Sequence, residues 1–411
     1  MKLDHQVMII NRVFKIEIIM LMALALRILW ACLVHVEPVS DSIMYDAFAK
    51  SISSGYGYAF PDGMLTAYWP VGTSAVYAFL YSLFGVSFLS IIILNLVIGI
   101  SIVWLTYTIA LRYFGRTTAI ISSLIICLWP MLIQYTTILA SELLFIFFLL
   151  LAIYIWGNQK ISLIPRSILW GAFICAASFI RPIANPLLVL FPFFNCIKAR
   201  NVRISIISLI VGIMTASILF SPWVYRNYKL FNGFVLVANN DGTNLWMGNN
   251  PESDGGYMPL PEVSFDNELE RNNYFKESAI NFILNNPADY IKLSINRFYI
   301  TYKSETIGIV WNQSYLNKVV SGTGITIMKL ISTIYWWMIL ILGIAGIFIF
   351  ISKHNSDIFS PLIIATMYFF IIPILTVGQD RYHMPTIPFI TIFSAYAIEY
   401  FFTIRRHKGI I

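Results

Sequence analysis

Residues 16–36 read IEIIMLMALALRILWACLVHV, and the polar stretch SDSIMYDAFAKSISSGYGY follows at residues 40–58. About 20 apolar residues are needed to cross the hydrocarbon core of a bilayer, so the first run is long enough to span a membrane. No site of small residues precedes Glu37, and we therefore interpret the run as a membrane anchor and not as a cleaved signal peptide. A basic segment, Met1–Lys15, precedes the anchor.

Arg27 lies near the middle of this apolar run. A charged side chain at that depth costs about 2.5 to 3.5 kcal/mol on insertion scales. We therefore expect Arg27 to find a partner or a polar cavity inside a helix bundle.

The polar stretch predicts a short helix just outside the membrane. Ser40 and Asp41 are typical of a helix start, and Gly55 is typical of a helix end. Asp41, Tyr45 and Ala49 are spaced four residues apart and so share one face. The residues expected to supply apolar surface to the membrane interface are Ile43, Met44, Ala47 and Phe48. Such a helix would hold the Asp41 carboxylate at the depth of a lipid headgroup.

The composition indicates a polytopic membrane protein. Charged residues make up 11% of the 411 residues, whereas soluble domains average about 25%. The mean hydropathy is +0.75. A net charge of +7 would suit nucleic acid only if Lys and Arg clustered on a soluble face, but here they lie at the ends of apolar runs. We therefore exclude nucleic acid as a partner.

Further apolar runs bring the predicted number of membrane spans to about ten. They cover residues 88–111, 117–136, 142–157, 167–181, 183–197, 204–221, 325–351, 358–377 and 385–403. Positive charge gathers at alternate ends of these runs, so the positive-inside rule places both termini in the cytoplasm and Asp41 outside. The residues concerned are Arg112, Arg116, Lys160, Arg166, Lys198, Arg200, Arg203, Lys353, Arg405, Arg406 and Lys408.

The expected fold is therefore all-α, with three parts. Residues 1–222 form a transmembrane catalytic module that includes a first outer loop at 37–87, and residues 325–411 form C-terminal transmembrane helices. Within the loop, the apolar stretch 69–85 is short and is predicted to be re-entrant or interfacial. Residues 223–324 are expected to form a small extracytoplasmic domain with amphipathic helices around 262–284 and 288–303.

Cysteine and histidine show no metal-ligand spacing. The four cysteines fall within apolar runs, and the five histidines are scattered without a His-x-x-x-His pair. We predict no zinc site built by the protein and leave a divalent metal ion open as a cofactor.

Several short motifs follow one another along the outer segments. They are Asp41-x-x-x-Tyr45-x-x-x-Ala49, Gly55-Tyr56-Gly57-Tyr58, Pro70-x-Gly72, Ser141-Glu142, Arg181-Pro182, Pro222-Trp223-x-x-Arg226-Asn227, Gly242-x-Asn244-x-x-x-Gly248-Asn249 and Arg381-Tyr382-x-x-Pro385. This order resembles the GT-C superfamily of membrane glycosyltransferases, in the branch of protein O-mannosyltransferases and aminoarabinose transferases. The resemblance implies an enzyme that uses a sugar linked to a polyprenyl phosphate, with a functional Asp in the first outer loop, which by position is Asp41.

Sugar transfer from a lipid phosphate to a hydroxyl needs a base and cationic groups for the departing phosphate. We predict Asp41 as the base of an inverting displacement, with capping of the helix as its alternative role. Glu142 is a second catalytic candidate that would orient a hydroxyl, or else forms a structural ion pair. Asp46 is a further candidate base, a partner for Arg27 or Lys50, or a solvated surface carboxylate.

Arg381 is the favoured phosphate ligand, because Gln379, Asp380 and Tyr382 surround it with polar groups and the arginine fork suits phosphate oxygens. Arg181 and Arg226 come next and Lys50 is weaker, although interfacial arginines also serve as anchors. The aromatic residues that could stack on sugars, or merely belong to the aromatic belts, are Tyr45, Tyr58, Trp69 and Trp246.

The resemblance and these residues together predict transfer of a sugar from a polyprenyl phosphate, with undecaprenyl phosphate as the expected carrier, to a lipid, glycan or protein acceptor of the cell envelope, at the outer face of the cytoplasmic membrane. Membrane lipids are further partners. Two alternatives stay open. One is a flippase or transporter of lipid-linked sugars, and the other is an O-antigen-type glycan polymerase.

Overall fold

The computed structural model describes residues 15–199, 201–353 and 358–407, and helices account for most of this part of the chain. Some predictions concern residues outside these ranges, namely the basic segment Met1–Lys15 except for Lys15, and the charges of Arg200 and Lys408. The side chains of Arg405 and Arg406 are also not described.

The first half of the described chain holds ten helices. They are α1 (Ile16–Leu33), α2 (Asp41–Ser53), α3 (Gly72–Phe84), α4 (Phe88–Tyr113), α5 (Arg116–Cys127), α6 (Pro130–Gln134), α7 (Glu142–Trp156), α8 (Leu163–Ile180), α9 (Leu187–Ala199) and α10 (Val202–Phe231). Short 3₁₀ helices at Tyr135–Thr137 and Pro182–Ala184 lie between them.

The second half begins with short helices and ends with long apolar ones. They are α11 (Asp241–Gly248), α12 (Glu268–Asn285), α13 (Pro287–Tyr302), α14 (Ile307–Trp311), α15 (Gln313–Val319), α16 (Gly322–Lys353), α17 (Pro361–Leu375) and α18 (Ile387–His407). A 3₁₀ helix, Asp380–Thr386, joins α17 to α18.

Six of the described helical segments are long and apolar enough to cross a membrane, which makes this a multi-pass membrane protein. A seventh span arises if α5 and the Pro130–Thr137 segment, bent by 54°, count as one. Pro130 explains the bend, because proline lacks the N–H that would continue the α5 ladder. Residues 142–157, 183–197 and 358–377 were expected to span, yet α7 and α17 have only 15 residues each and α9 has 13. Helices of this length are at most about 22 Å long, so the predicted count of about ten spans is not confirmed.

Glycines allow the long helices to approach one another closely. A Cβ added to Gly346 of α16 would lie 1.9 Å from the carbonyl oxygen of Phe393 in α18. Between α8 and α10, a Cβ on Gly171 would lie 2.8 Å from the carbonyl oxygen of Gly212. Small residues at such crossings are how membrane helices gain backbone packing in the absence of a hydrophobic driving force.

Arg27 is fully buried in α1, as expected, and its Nη1 donates to the carbonyl oxygen of Ala23 (3.2 Å). Gly99 of α4 makes room for the guanidinium, since a Cβ at that position would lie 2.5 Å from Arg27 Nε. The partner found by Arg27 is therefore a backbone carbonyl of its own helix.

The predicted helix after the anchor is confirmed as α2, and it packs on α3, the helix formed by the short apolar stretch. Gly55 follows α2 with a φ of 84°, which suits the expected helix end. The prediction for Phe48 was wrong: its side chain is fully buried and contacts the rings of Tyr58 and Trp69 instead of facing the membrane interface. The first loop folds back over α2 and covers that face.

The polar region differs from the prediction at its start. The expected span ended at residue 221, but α10 continues through Pro222 to Phe231. Proline leaves the carbonyl of Ile218 without its helical donor, and the hydroxyl of Ser221 donates to that carbonyl instead (2.8 Å). The two amphipathic helices are present as α12 and α13.

The polar region, residues 222–324, packs against other parts of the chain. The guanidinium of Arg297 in α13 is buried and donates to the carbonyl oxygens of Gly248 at the end of α11 (2.6 Å) and Ile374 near the end of α17 (2.6 Å). These bonds tie residues 222–324 to the segment that leads into the 3₁₀ helix Asp380–Thr386.

Candidate active site

Asp41 is the first residue of α2, and its carboxylate faces Arg381. The distance from Asp41 Oδ2 to Arg381 Nη1 is 2.7 Å. Ser40, which precedes Asp41, has a φ of 52°, a value that non-glycine residues rarely adopt, and so the backbone here is held by its surroundings. The Asp41 side chain remains 24% exposed, which leaves it accessible to a ligand.

Glu142 begins α7 and is almost fully buried. Its Oε1 pairs with Arg181 Nη2 and lies 3.6 Å from Arg381 Nη1. Arg181 also donates from Nε to the hydroxyl of Ser141 (2.9 Å). Two carboxylates and two guanidinium groups therefore form one charge-balanced group, which offsets the cost of removing these charges from water. We call Asp41, Glu142, Arg181 and Arg381 the charge cluster.

Arg381 is the centre of the charge cluster. It lies on the 3₁₀ helix Asp380–Thr386, and its Nε donates to Oε1 of Gln379 (2.7 Å). Its guanidinium carbon lies 4.8 Å from the ring centroid of Trp311 and 5.6 Å from that of Tyr382. Aromatic faces attract cations, so these rings hold the guanidinium in place while leaving its charge available.

Two tyrosines border the charge cluster. Tyr45 lies one turn after Asp41 on α2, and its side chain is buried. Burial, helped by the charge of Asp41, raises the pKa of Tyr45, so this residue is a neutral phenol at physiological pH. The hydroxyl of Tyr135 is also buried, and within the described ranges it has no hydrogen-bond partner. Tyr135 interacts electrostatically with Glu142 and Arg381.

The structure thus brings together six of the predicted site residues: Asp41, Tyr45, Glu142, Arg181, Arg381 and Tyr382. Sequence reasoning missed Tyr135 and Trp311. Tyr135 lies within a run counted as a membrane span, and Trp311 is one of 11 tryptophans, so neither carries a local pattern that distinguishes it.

Asp46 and Lys50 lie on another side of α2. Oδ2 of Asp46 accepts from Lys50 Nζ (2.6 Å), and its Oδ1 accepts from the hydroxyl of Tyr81 in α3 (2.7 Å). Of the partners considered for Asp46, the structure shows Lys50. These contacts hold α2 against α3.

Tyr58 and Arg226 form a third group with the first loop. The hydroxyl of Tyr58 donates to the carbonyl oxygen of Trp69 (3.1 Å). Arg226 donates from Nη1 to the carbonyl oxygen of Thr66 (2.7 Å) and from Nη2 to that of Tyr58 (3.1 Å). The guanidinium of Arg226 is thus occupied by backbone carbonyls.

Trp69 packs among Phe48, Phe60 and Tyr68, and Trp246 packs against Phe275. Both rings therefore contribute to packing.

In the described ranges, no three His, Cys, Asp or Glu side chains are placed to hold a metal ion. The carboxylates of Asp41 and Glu142 instead face arginines. Two guanidinium groups therefore lie beside these two carboxylates.

No family model matches the sequence, and the search of curated proteins finds no match. Solved structures do match. The oligosaccharyltransferase AglB from Archaeoglobus fulgidus, in complex with an inhibitory peptide and a dolichol-phosphate, is 13% identical with a TM-score of 0.58. The match covers 96% of this chain and 51% of that one.

ArnT from Cupriavidus metallidurans, bound to undecaprenyl phosphate, is 12% identical with a TM-score of 0.56, over 93% of this chain and 60% of that one. Another AglB structure, a complex with Zn and sulfate, has a TM-score of 0.56 at 14% identity and covers 94% of this chain and 49% of that one. The chain spans about half the length of the archaeal proteins it matches. Both neighbours are GT-C membrane glycosyltransferases, and the chain has the GT-C fold.

Proposed function

We propose that this protein transfers a sugar from a polyprenyl phosphate, with undecaprenyl phosphate as the carrier, to a lipid, glycan or protein acceptor of the cell envelope. The observation that carries the proposal is the Asp41–Arg381 pair within the charge cluster. The fold supports it, because neighbours that share the fold were solved with dolichol-phosphate and undecaprenyl phosphate. We place the reaction at the outer face of the cytoplasmic membrane with both termini inside, as the charge distribution favours.

The proposed reaction is a single inverting displacement. An acceptor hydroxyl forms a bond to the anomeric carbon while the bond from that carbon to the phosphate oxygen breaks, and the bonding electrons leave with the phosphate. The hydroxyl proton passes to a carboxylate oxygen of Asp41. The products are the glycosylated acceptor and the free polyprenyl phosphate, whose charge Arg381 and Arg181 stabilise.

Arg381 links donor binding to the base. Arg381 Nη1 lies against Oδ2 of Asp41, so the guanidinium occupies one of the two carboxylate oxygens of the proposed base. A phosphate that binds Arg381 competes for the same guanidinium donors and releases Asp41. Donor binding therefore prepares the base, and the acceptor reacts second.

The remaining residues have supporting roles in this proposal. Glu142 holds Arg181 and shares Arg381, while the rings of Tyr45 and Tyr382 border the place where the sugar would lie. Asp46, Lys50, Tyr58 and Arg226 shape the site by holding α2 and the first loop. Arg381 and Arg181 are the cationic groups of the proposed mechanism, and no step of it is routed through a metal ion.

The test is the envelope glycan profile, measured by mass spectrometry, of cells lacking this protein and complemented with wild type, Asp41→Asn or Asp62→Asn at matched membrane levels. Asp62→Asn is the matched control, since it removes an exposed carboxylate of the same loop outside the charge cluster.

The proposal predicts that wild type and the control restore a single-sugar mass that Asp41→Asn does not. Restoration by Asp41→Asn would remove Asp41 from catalysis and favour a transporter. A change in glycan chain length without loss of a single residue would favour a polymerase.

A further inference from the structure

Glu305 and His383 form a buried pair beside the charge cluster. Both side chains are fully buried, and His383 Nε2 lies 3.2 Å from Glu305 Oε1. Trp129 Nε1 donates to both carboxylate oxygens of Glu305 (2.9 and 3.1 Å), and the His383 ring stacks on Trp336 at 4.1 Å between centroids. Glu305 follows α13, whereas His383 lies on the 3₁₀ helix that carries Arg381.

Two contacts hold the His383 ring from opposite sides. Its Nδ1 lies 3.1 Å from the carbonyl oxygen of Thr301, which can only accept, so Nδ1 carries the hydrogen of this bond. Its Nε2 faces Oε1 of Glu305, so the ring is fixed between the last turn of α13 and Glu305.

The residue after Glu305 makes a second bond to the same 3₁₀ helix. The backbone N–H and the hydroxyl of Thr306 both donate to Oδ2 of Asp380 (3.1 and 3.0 Å). Two consecutive residues thus hold Asp380 and His383, which flank Arg381 on either side. We call Glu305 and Thr306 the clamp.

The clamp fixes the backbone on both sides of the residue that pairs with Asp41. A 3₁₀ helix has poorer hydrogen-bond geometry than an α-helix and does not hold one position by itself. Outside contacts at residues 380 and 383 therefore fix the backbone from which the Arg381 side chain extends.

We propose that Glu305 and Thr306 are positioning residues, which place Arg381 so that its guanidinium can exchange Asp41 for the phosphate of the lipid carrier. This inference rests on the proposed function. Glu305 itself does not contact substrate in this proposal, because Trp129 and His383 enclose its carboxylate.

The test measures the affinity of the purified full-length protein in lipid nanodiscs for undecaprenyl phosphate, by native mass spectrometry. Glu305→Gln, Thr306→Val and Arg381→Gln are compared with wild type, together with the double variant Glu305→Gln/Arg381→Gln. Tyr302→Phe is the matched control, since it removes a buried hydrogen bond to the carbonyl oxygen of Phe370 without touching the clamp.

If the clamp acts through Arg381, Arg381→Gln weakens binding about tenfold or more and Glu305→Gln about fivefold, while the double variant binds no more weakly than Arg381→Gln alone. Thr306→Val, which loses only one hydroxyl bond, weakens binding about twofold. Tyr302→Phe leaves the affinity unchanged.

The other results separate the two claims. If wild type and Arg381→Gln bind equally, the proposed function is wrong. If Arg381→Gln weakens binding but the two clamp variants do not, the clamp inference is wrong and the proposed function stands. Additive losses in the double variant would also overturn the inference, because the clamp would then act independently of Arg381.

Amide hydrogen exchange of residues 376–390 provides a readout for a variant that folds poorly. If the clamp holds the backbone of this segment, its amides exchange faster in Glu305→Gln and Thr306→Val than in wild type. Exchange in Tyr302→Phe stays unchanged. Unchanged exchange in both clamp variants would contradict the inference.

Discussion

Arg381 Nη1 lies 2.7 Å from Asp41 Oδ2 and 3.6 Å from Glu142 Oε1, so one guanidinium nitrogen faces two carboxylates that are 101 residues apart in sequence. Asp41 begins α2 and Glu142 begins α7, and both helices start beside the 3₁₀ helix that carries Arg381. The two carboxylates therefore compete for the same guanidinium nitrogen.

Asp41→Asn is expected to separate binding from turnover. The variant removes the carboxylate that competes for Arg381, so its affinity for undecaprenyl phosphate, measured by native mass spectrometry, should equal or exceed that of wild type. Sugar transfer should fall by about 10² to 10⁴-fold, the usual contribution of a general base. A loss of affinity as large as that of Arg381→Gln would contradict the competition between phosphate and Asp41.

Glu142→Gln is expected to destabilise the protein, because it leaves the partly buried guanidinium of Arg181 without its carboxylate. Breaking a buried ion pair from one side costs about 3 to 5 kcal/mol. The double variant Glu142→Gln/Arg181→Gln should lose less than the sum of the two single variants, as judged by thermal unfolding in detergent. Additive losses would show that the two side chains do not act as a pair.

Gly346→Ala is expected to push α16 away from α18, because the new Cβ would lie 1.9 Å from the carbonyl oxygen of Phe393. Overpacking of this kind costs about 1 to 3 kcal/mol. Gly322→Ala, in the first turn of the same helix, is the matched control, since nothing lies within 4 Å of its added Cβ. Equal melting temperatures for the two variants would contradict the close helix crossing.

The contact between Asp241, at the start of α11, and Lys276 is expected to be acid-sensitive. The Asp241 side chain is 60% exposed, and its partial desolvation is outweighed by hydrogen bonds from Lys276 (2.8 Å) and Asn272 (2.7 Å), which hold the pKa of the carboxyl group below its usual value. A lowered pKa in the folded state contributes stability above the unfolded pKa of about 3.9, and this contribution is lost as pH falls.

Asp241→Asn and Lys276→Gln should therefore both flatten the acid side of the unfolding profile, measured from about pH 6 down to pH 3. A profile for either variant that is parallel to wild type throughout would contradict this contact.

Much of the membrane architecture could be predicted, because each apolar run has to bury itself as a helix in lipid or against other helices. The short helix after the anchor was also predictable, since Asp41 and Gly55 suit its two ends. The number of spans was not, because apolar composition does not distinguish a 15-residue helix such as α7 from a longer one.

The charge cluster could be predicted only as a set of candidates. Its residues lie on α2, on α7, after α8 and after α17, and no periodicity reports that these chain segments meet. The clamp was beyond prediction for the same reason, since Glu305 is part of a polar segment and His383 is one of five scattered histidines. Phe48 was misplaced because the fold of the first loop over α2 is a tertiary contact that helix periodicity does not contain.

The most direct test is the ratio of sugar-linked to free polyprenyl phosphate, measured by liquid chromatography and mass spectrometry of lipids from cells producing wild type or Asp41→Asn at equal levels. The proposed reaction consumes the sugar-linked lipid and releases the free phosphate. The ratio should therefore rise in the Asp41→Asn cells, together with loss of a single sugar from the envelope. An unchanged ratio with the glycan intact would contradict the claim that this protein transfers a sugar with Asp41 as its base.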